Sequence, residues 1–156
     1  MNIYLETTIF NYYFDAERDA HAATVKLFNE IITAKFHPFT SIFVVEELEN
    51  APKDKSRLMI DLISKFNIVV LPENEQAVRI AKLFIDNNNI IPSKYLMGSL
   101  HIALSLVNNF DKIITLNFKH IIRNKTKIFV EYISKINDYR SFTINLPMEV
   151  IGNDEN

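Results

Sequence analysis

The stretch Ile3-Tyr4-Leu5-Glu6-Thr7-Thr8 decides how the rest of the chain is read. Three apolar residues without alternation, ended by an acid and two hydroxyl residues, describe a strand buried on both faces that runs directly into a helix or loop. Such strands belong to parallel sheets, whose crossovers cover both faces with helices. In open sheets of this kind functional groups gather beyond the carboxyl ends of the strands, so Glu6 and Thr7 are the first candidates for a site.

Working outward, the same alternation repeats. Ala23, Leu27, Ile31 and Ile32 recur at helical spacing between about Ala20 and Ala34, and a short strand is predicted near Phe36 to Phe39. Thr40-Ser41 then reads as an N-cap for a helix from Ile42 to Asn50 that carries Glu46 and Glu47. Pro52 introduces a helix from Lys53 to Lys65, followed by the β-branched run Ile68-Val69-Val70-Leu71, read as another strand buried on both faces. Ala77, Val78, Ala81, Phe84 and Ile85 predict a helix from Glu75 to Ile85, ending in the Asn87-Asn88-Asn89 loop. Pro92-Ser93 opens a long helix reaching Asn109, and Lys112 to Leu116 predicts a strand with Thr115 and Asn117 at its polar end. A helix around Ile128 to Ile136 and a last strand at Phe142 to Asn145 complete the series. Strands separated by helices imply right-handed crossovers and a mainly parallel sheet.

Composition narrows the function classes. A chain of 156 residues that is 48% hydrophobic fits one domain, expected over residues 1–151, with 152–156 a frayed tail. The lack of cysteine excludes disulfides, thiolate zinc sites and cysteine nucleophiles, and fits a reducing, cytoplasmic interior. No basic segment precedes an apolar one as in a leader peptide, and no run has the length of a membrane span. Only two glycines occur, Gly98 and Gly152, so glycine-rich phosphate-cradling turns cannot be built. A net charge of -2 argues against a wholesale basic coat, and nucleic-acid binding would need a local patch.

Four phrases in order carry a family resemblance. They are Ile3 to Thr8; Thr40-Ser41 through Glu47-Leu48; Leu100-His101-Ile102-Ala103 with Asp111 and Ile113 to His120; and Leu146-Pro147-Met148-Glu149-Val150. Together they resemble the PIN domain family, including toxin nucleases of the VapC type, over nearly the whole chain. The resemblance implies a three-layer α/β/α fold with a mainly parallel central sheet of about five strands. It also implies an endoribonuclease of toxin-antitoxin systems, in which clustered carboxylates hold Mg²⁺ or Mn²⁺ through hard oxygen ligands with retained waters. Family membership implies an acid at four places, which here read Glu6, Glu47, Gly98 and Asn117. Glu6 and Glu47 are therefore the candidate metal ligands and, with Asn117, the candidate catalytic residues. Gly98 stands where relatives carry Asp and offers no ligand, so weakened metal binding and RNA cleavage are expected. The alternative is an inactive PIN relative that binds RNA or protein. RNA, a small antitoxin protein and a second copy of the chain are the implied partners. The aromatic residues Phe10, Tyr12, Tyr13 and Phe14 are read as core or as the interface of a homodimer.

Each candidate also has a plainer reading. Glu6 serves equally as a turn cap, Asn117 as a turn former, and Thr7 and Ser41 as helix starters. His101 is read as a packed, hydrogen-bonded histidine rather than a ligand. Glu46 and Glu47 are about 100° apart on a helix, so one faces a site and Glu46 is assigned to solvent. Lys119, Arg123, Lys125 and Lys127 form a basic cluster, ordinarily a solvated face, which beside an acidic pocket becomes a candidate RNA-binding surface. A flavodoxin-like or receiver-type module is the remaining alternative, and no acidic pair ends the first strand to support it.

Overall fold

In the computed structural model, which describes residues 1–86, 96–117 and 121–152, the opening run forms β1 (Asn2–Leu5) at the middle of a five-stranded sheet. Ile3, Tyr4 and Leu5 have no exposed surface, as a strand covered on both faces requires. β2 (His37–Ser41) pairs with it on one side, with β3 (Val69–Leu71) beyond. β4 (Lys112–Ile114) pairs on the other, followed by β5 (Thr143–Asn145), and every pairing is parallel. The strand order is β3-β2-β1-β4-β5.

Helices fill the crossovers. α1 (Thr7–Phe14) and α2 (His21–Ile32) join β1 to β2, and α3 (Ile42–Glu49) and α4 (Lys53–Lys65) join β2 to β3. α5 (Glu75–Asp86) and α6 (Leu96–Val107) lead from β3 to β4, α7 (Asn124–Ile136) leads from β4 to β5, and α8 (Pro147–Val150) follows. The chain steps outward from β1 to β3, returns to β4 and continues the opposite way. With right-handed crossovers, that reversal puts the first four helices on one face and α5, α6 and α7 on the other. α1 packs on α2, α3 and α4, and α8 on α2, whereas α5 packs on α6 and reaches α7 through Phe84 and Phe129, whose ring centroids are 4.8 Å apart. The result is a three-layer α/β/α fold. The strand order reverses between β1 and β4, and the crevice beyond their carboxyl ends is where such sheets bind ligands.

Helix ends show how so few glycines suffice. Asn67, Asn109 and Asp138 take left-handed backbone conformations just after α4, α6 and α7. Each lets the next amide close the helix end: Ile68 to the Ile63 carbonyl at 2.9 Å, Phe110 to Ser105 at 3.1 Å and Tyr139 to Ser134 at 2.9 Å. Short polar side chains tolerate this conformation where glycine is usual.

The structure corrects some expectations. Val69 and Val70 are 51% and 37% exposed, because β3 is an edge strand, and only Ile68 before it is buried. α7 begins at Asn124, earlier than its apolar residues indicate, since its first turn is polar. The Asn87-Asn88-Asn89 loop, the Pro92-Ser93 helix start and the tail after Gly152 lie outside the described residues. Among the described residues no helix is long and apolar enough to cross a membrane.

Candidate active site at the carboxyl edge of the sheet

Glu6 follows β1 directly, and its amide donates to the Ile114 carbonyl at 3.1 Å, which extends the β1–β4 pairing by one residue. Its side chain is almost fully buried. Oε1 accepts from the Thr8 amide and from the Thr115 hydroxyl, both at 2.9 Å, and from the Thr8 hydroxyl. Both hydroxyls also accept. The Leu116 amide donates to Thr8 Oγ1 at 2.8 Å, and the Asn117 amide to Thr115 Oγ1 at 3.0 Å. These bonds tie the polar end of β4 to the first turn of α1. Glu6 is therefore the N-cap of α1, but the cap uses one oxygen: among the described residues every hydrogen bond of this carboxylate falls on Oε1.

Glu47 arrives from β2. Ser41 caps α3, its Oγ accepting from the Val44 amide at 3.4 Å, so α3 begins at the same edge of the sheet. Glu46 is exposed, whereas Glu47 is half-buried with Oε1 3.1 Å from His101 Nε2. His101, on α6, is itself buried, and its Nδ1 lies 2.6 Å from the Tyr4 hydroxyl, which lies 2.7 Å from Ser41 Oγ. The histidine is packed and hydrogen-bonded, as its apolar helix predicts, and one partner is a candidate ligand. Burial pushes the Tyr4 phenol well above its ordinary pKa; the Ser41 hydrogen bond acts the other way, and the charges of Glu6 and Glu47 add to the rise. Both carboxylates thus act on the same buried hydroxyl.

Ile121 links the fourth and third family positions. The Asn117 carbonyl accepts from the Ile121 amide at 3.3 Å and the Ile122 amide at 3.1 Å. Ile121, fully buried, lies over Gly98 in α6: a Cβ at Gly98 would meet Ile121 Cγ1 at 3.5 Å and Cδ1 at 3.8 Å, ordinary contact distances. Crowding therefore does not enforce the glycine. Hydrocarbon from Ile121 thus covers the place where the family resemblance implies an acid, a contact that sequence reasoning missed.

Among the described residues no group of three or more His, Cys, Asp or Glu is placed to hold a metal ion. The charged donors near this edge are the carboxylates of Glu6 and Glu47, and Thr7 Oγ1 and Ser99 Oγ are buried without a hydrogen-bond partner among the described residues. That set suits a weakly held Mg²⁺ or Mn²⁺, because magnesium commonly takes one or two carboxylates and keeps waters for the rest. It does not suit a tight cage built from protein alone.

Arg123, the N-cap residue of α7, and Lys125 and Lys127 in its first turn are exposed, while Lys119 lies outside the described residues. No acid occupies that turn, so these cations oppose the helix dipole. The aromatic residues of α1 are mostly interior. Phe10 is fully buried and edge-on to Phe28 at 6.3 Å; Tyr13 lies edge-on to Phe28 at 4.8 Å and Phe66 at 6.0 Å; Phe14 is 37% exposed.

The model of the PIN domain family matches residues 3–124. Solved structures of similar fold include VapBC2 from Rickettsia felis bound to a DNA fragment from their promoter. It is 14% identical, with TM-score 0.57 over 94% of this chain and 98% of that one. VapBC-1 from nontypeable Haemophilus influenzae is 18% identical, with TM-score 0.54 over 95% of this chain and 99% of that one. At such identities the likeness speaks for the fold. No curated protein sequence matches. A family match that runs from the first strand into α7, on a sheet whose order reverses beside Glu6, settles the assignment: this chain belongs to the PIN domain family.

Proposed function

We propose that this protein is a Mg²⁺- or Mn²⁺-dependent endoribonuclease of the VapC toxin type with weakened metal binding. What supports the reading is that Glu6 follows β1 and Glu47 stands on α3, the helix that follows β2, each engaged through Oε1 alone among the described residues. Their second oxygens would hold the ion. Once bound, it would supply an activated water and offset charge building on the scissile phosphate. Thr8 and Thr115 keep Glu6 in place, and Asn117 would orient a water or ligand. Arg123, Lys125 and Lys127, with Lys119, would hold the phosphates of single-stranded RNA beside the acids. Ile121 over Gly98 explains why binding would be weak and would lean on substrate phosphates. The protein would act in the cytoplasm, restrained by a small antitoxin protein, and pair as a homodimer that uses Phe14. A monomeric mass by light scattering at all concentrations would reject the pairing.

The same hydrocarbon plug favours one second reading, a PIN relative that binds RNA without cutting it. Purified protein with Mn²⁺ and a fluorescent single-stranded RNA separates the two. The expected result is slow cleavage, abolished by chelator and lowered at least about 100-fold in Glu6→Gln. Cleavage indifferent to Glu6→Gln would sink the nuclease reading, and binding without cleavage would support the second. In the same assay, replacing Arg123, Lys125 and Lys127 with Ala should flatten the salt dependence of RNA affinity by about 2 logarithmic units per decade of salt. Unchanged affinity at low salt would remove those residues from the RNA surface.

A further inference from the structure

A tyrosine on the central strand of a parallel sheet has to find partners for its hydroxyl in the core, and Tyr4 finds two, Ser41 and His101. The proton order along this buried chain follows from its far end. His101 Nε2 faces Glu47 Oε1 at 3.1 Å, and a bare nitrogen lone pair aimed at a carboxylate oxygen would be repelled, so Nε2 carries the hydrogen. In a neutral imidazole Nδ1 then accepts, and the group 2.6 Å away that donates to it is the Tyr4 hydroxyl. The Tyr4 oxygen in turn accepts from the Ser41 hydroxyl, whose oxygen accepts from the Val44 amide. With Nδ1 accepting, every donor points along the chain toward Glu47.

We propose that Tyr4 and Ser41 hold the His101 ring with its Nε2–H on Glu47 and its Nδ1 toward the Tyr4 hydroxyl, and that His101 is thereby a positioning residue for Glu47, gripping one carboxylate oxygen and leaving the other for a ligand. The side chains involved come from β1, β2, α3 and α6, so the arrangement exists only when the layers are assembled. The value of the grip rests on the reading of Glu47 as a metal ligand. The tautomer does not.

The test uses the full chain with ¹⁵N-labelled histidine, the His101 signals being identified by their loss in His101→Gln. The expected spectrum of the wild type has Nε2 protonated and Nδ1 bare at neutral pH. Tyr4→Phe keeps the ring but removes the donor, so the nitrogen pattern should shift toward a mixture of tautomers. Mn²⁺ affinity followed by electron paramagnetic resonance should fall about 10-fold, the usual range for loss of a group supporting a ligand. His101→Gln retains an amide donor and should bind Mn²⁺ more tightly than His101→Leu, a difference that a purely packing role would not produce. A hydrogen on Nδ1 in the wild type, whether as the Nδ1–H tautomer or as a doubly protonated ring, or a Tyr4→Phe protein with unchanged nitrogen pattern and unchanged affinity, would overturn the proposal. Absence of Mn²⁺ uptake by the wild type would instead overturn the metal reading of Glu47, and the nitrogen pattern alone would then decide whether the lock exists.

Discussion

Two halves of one sheet edge are built from opposite materials. Around Glu6 the protein gathers two threonine hydroxyls and a backbone amide onto a single carboxylate oxygen, and it buries the carboxylate to do so. At Gly98 it lays the side chain of Ile121 over the helix, and the glycine itself offers no ligand. The same segment serves both halves. Thr115 and the amides of Leu116 and Asn117 complete the Glu6 network, and the Asn117 carbonyl accepts from the amides of Ile121 and Ile122. Where the family resemblance implies an acid, packed hydrocarbon covers Gly98, as expected of a close-packed interior.

The sharpest challenge to this contrast is Gly98→Asp. A carboxylate placed beneath Ile121 has no partner, and the variant should lose about 3 kcal/mol of stability in denaturant unfolding. Combining it with Ile121→Ala should open the position and raise Mn²⁺ affinity by calorimetry at least about 10-fold above the wild type. Tighter metal binding in Gly98→Asp alone, without loss of stability, would mean that Ile121 does not block the site. A smaller effect tests the polar half. Thr115→Val is nearly isosteric and removes one donor to the Glu6 carboxylate, so it should cost about 2 kcal/mol; a variant as stable as the wild type would show that the hydroxyl contributes little to holding that oxygen. Smallest is Gly98→Ala, which places a methyl group at ordinary contact distance inside a helix and should stabilise the protein by about 0.5–1 kcal/mol. A loss instead would reveal a packing need for glycine that the distances to Ile121 do not contain.

Much of the architecture was legible because its signals are local. The apolar run before Glu6, the Ser41 cap, the proline before Lys53 and the helical spacing in α5 each act over a few residues, and all four appear where the sequence puts them. The reading of Ile68 to Leu71 as buried on both faces failed because β-branched composition marks a strand but not its rank in the sheet; whether a strand is central or at the edge depends on segments far along the chain. For the site, the choice of Glu47 over Glu46 followed from helix geometry and from the resemblance, and it is Glu47 that meets His101.

The sequence alone determined the order of strands and helices, the parallel sheet and the polar residues waiting at its carboxyl edge, since periodicity and capping are set by near neighbours. Tertiary structure alone decided that Tyr4 would address His101, 97 residues away, that Glu6 would be held by Thr115, 109 residues away, and that Ile121 would close over Gly98. Those contacts arise only when the β1–β4 pairing brings remote segments together, and no local pattern records which atoms will then touch.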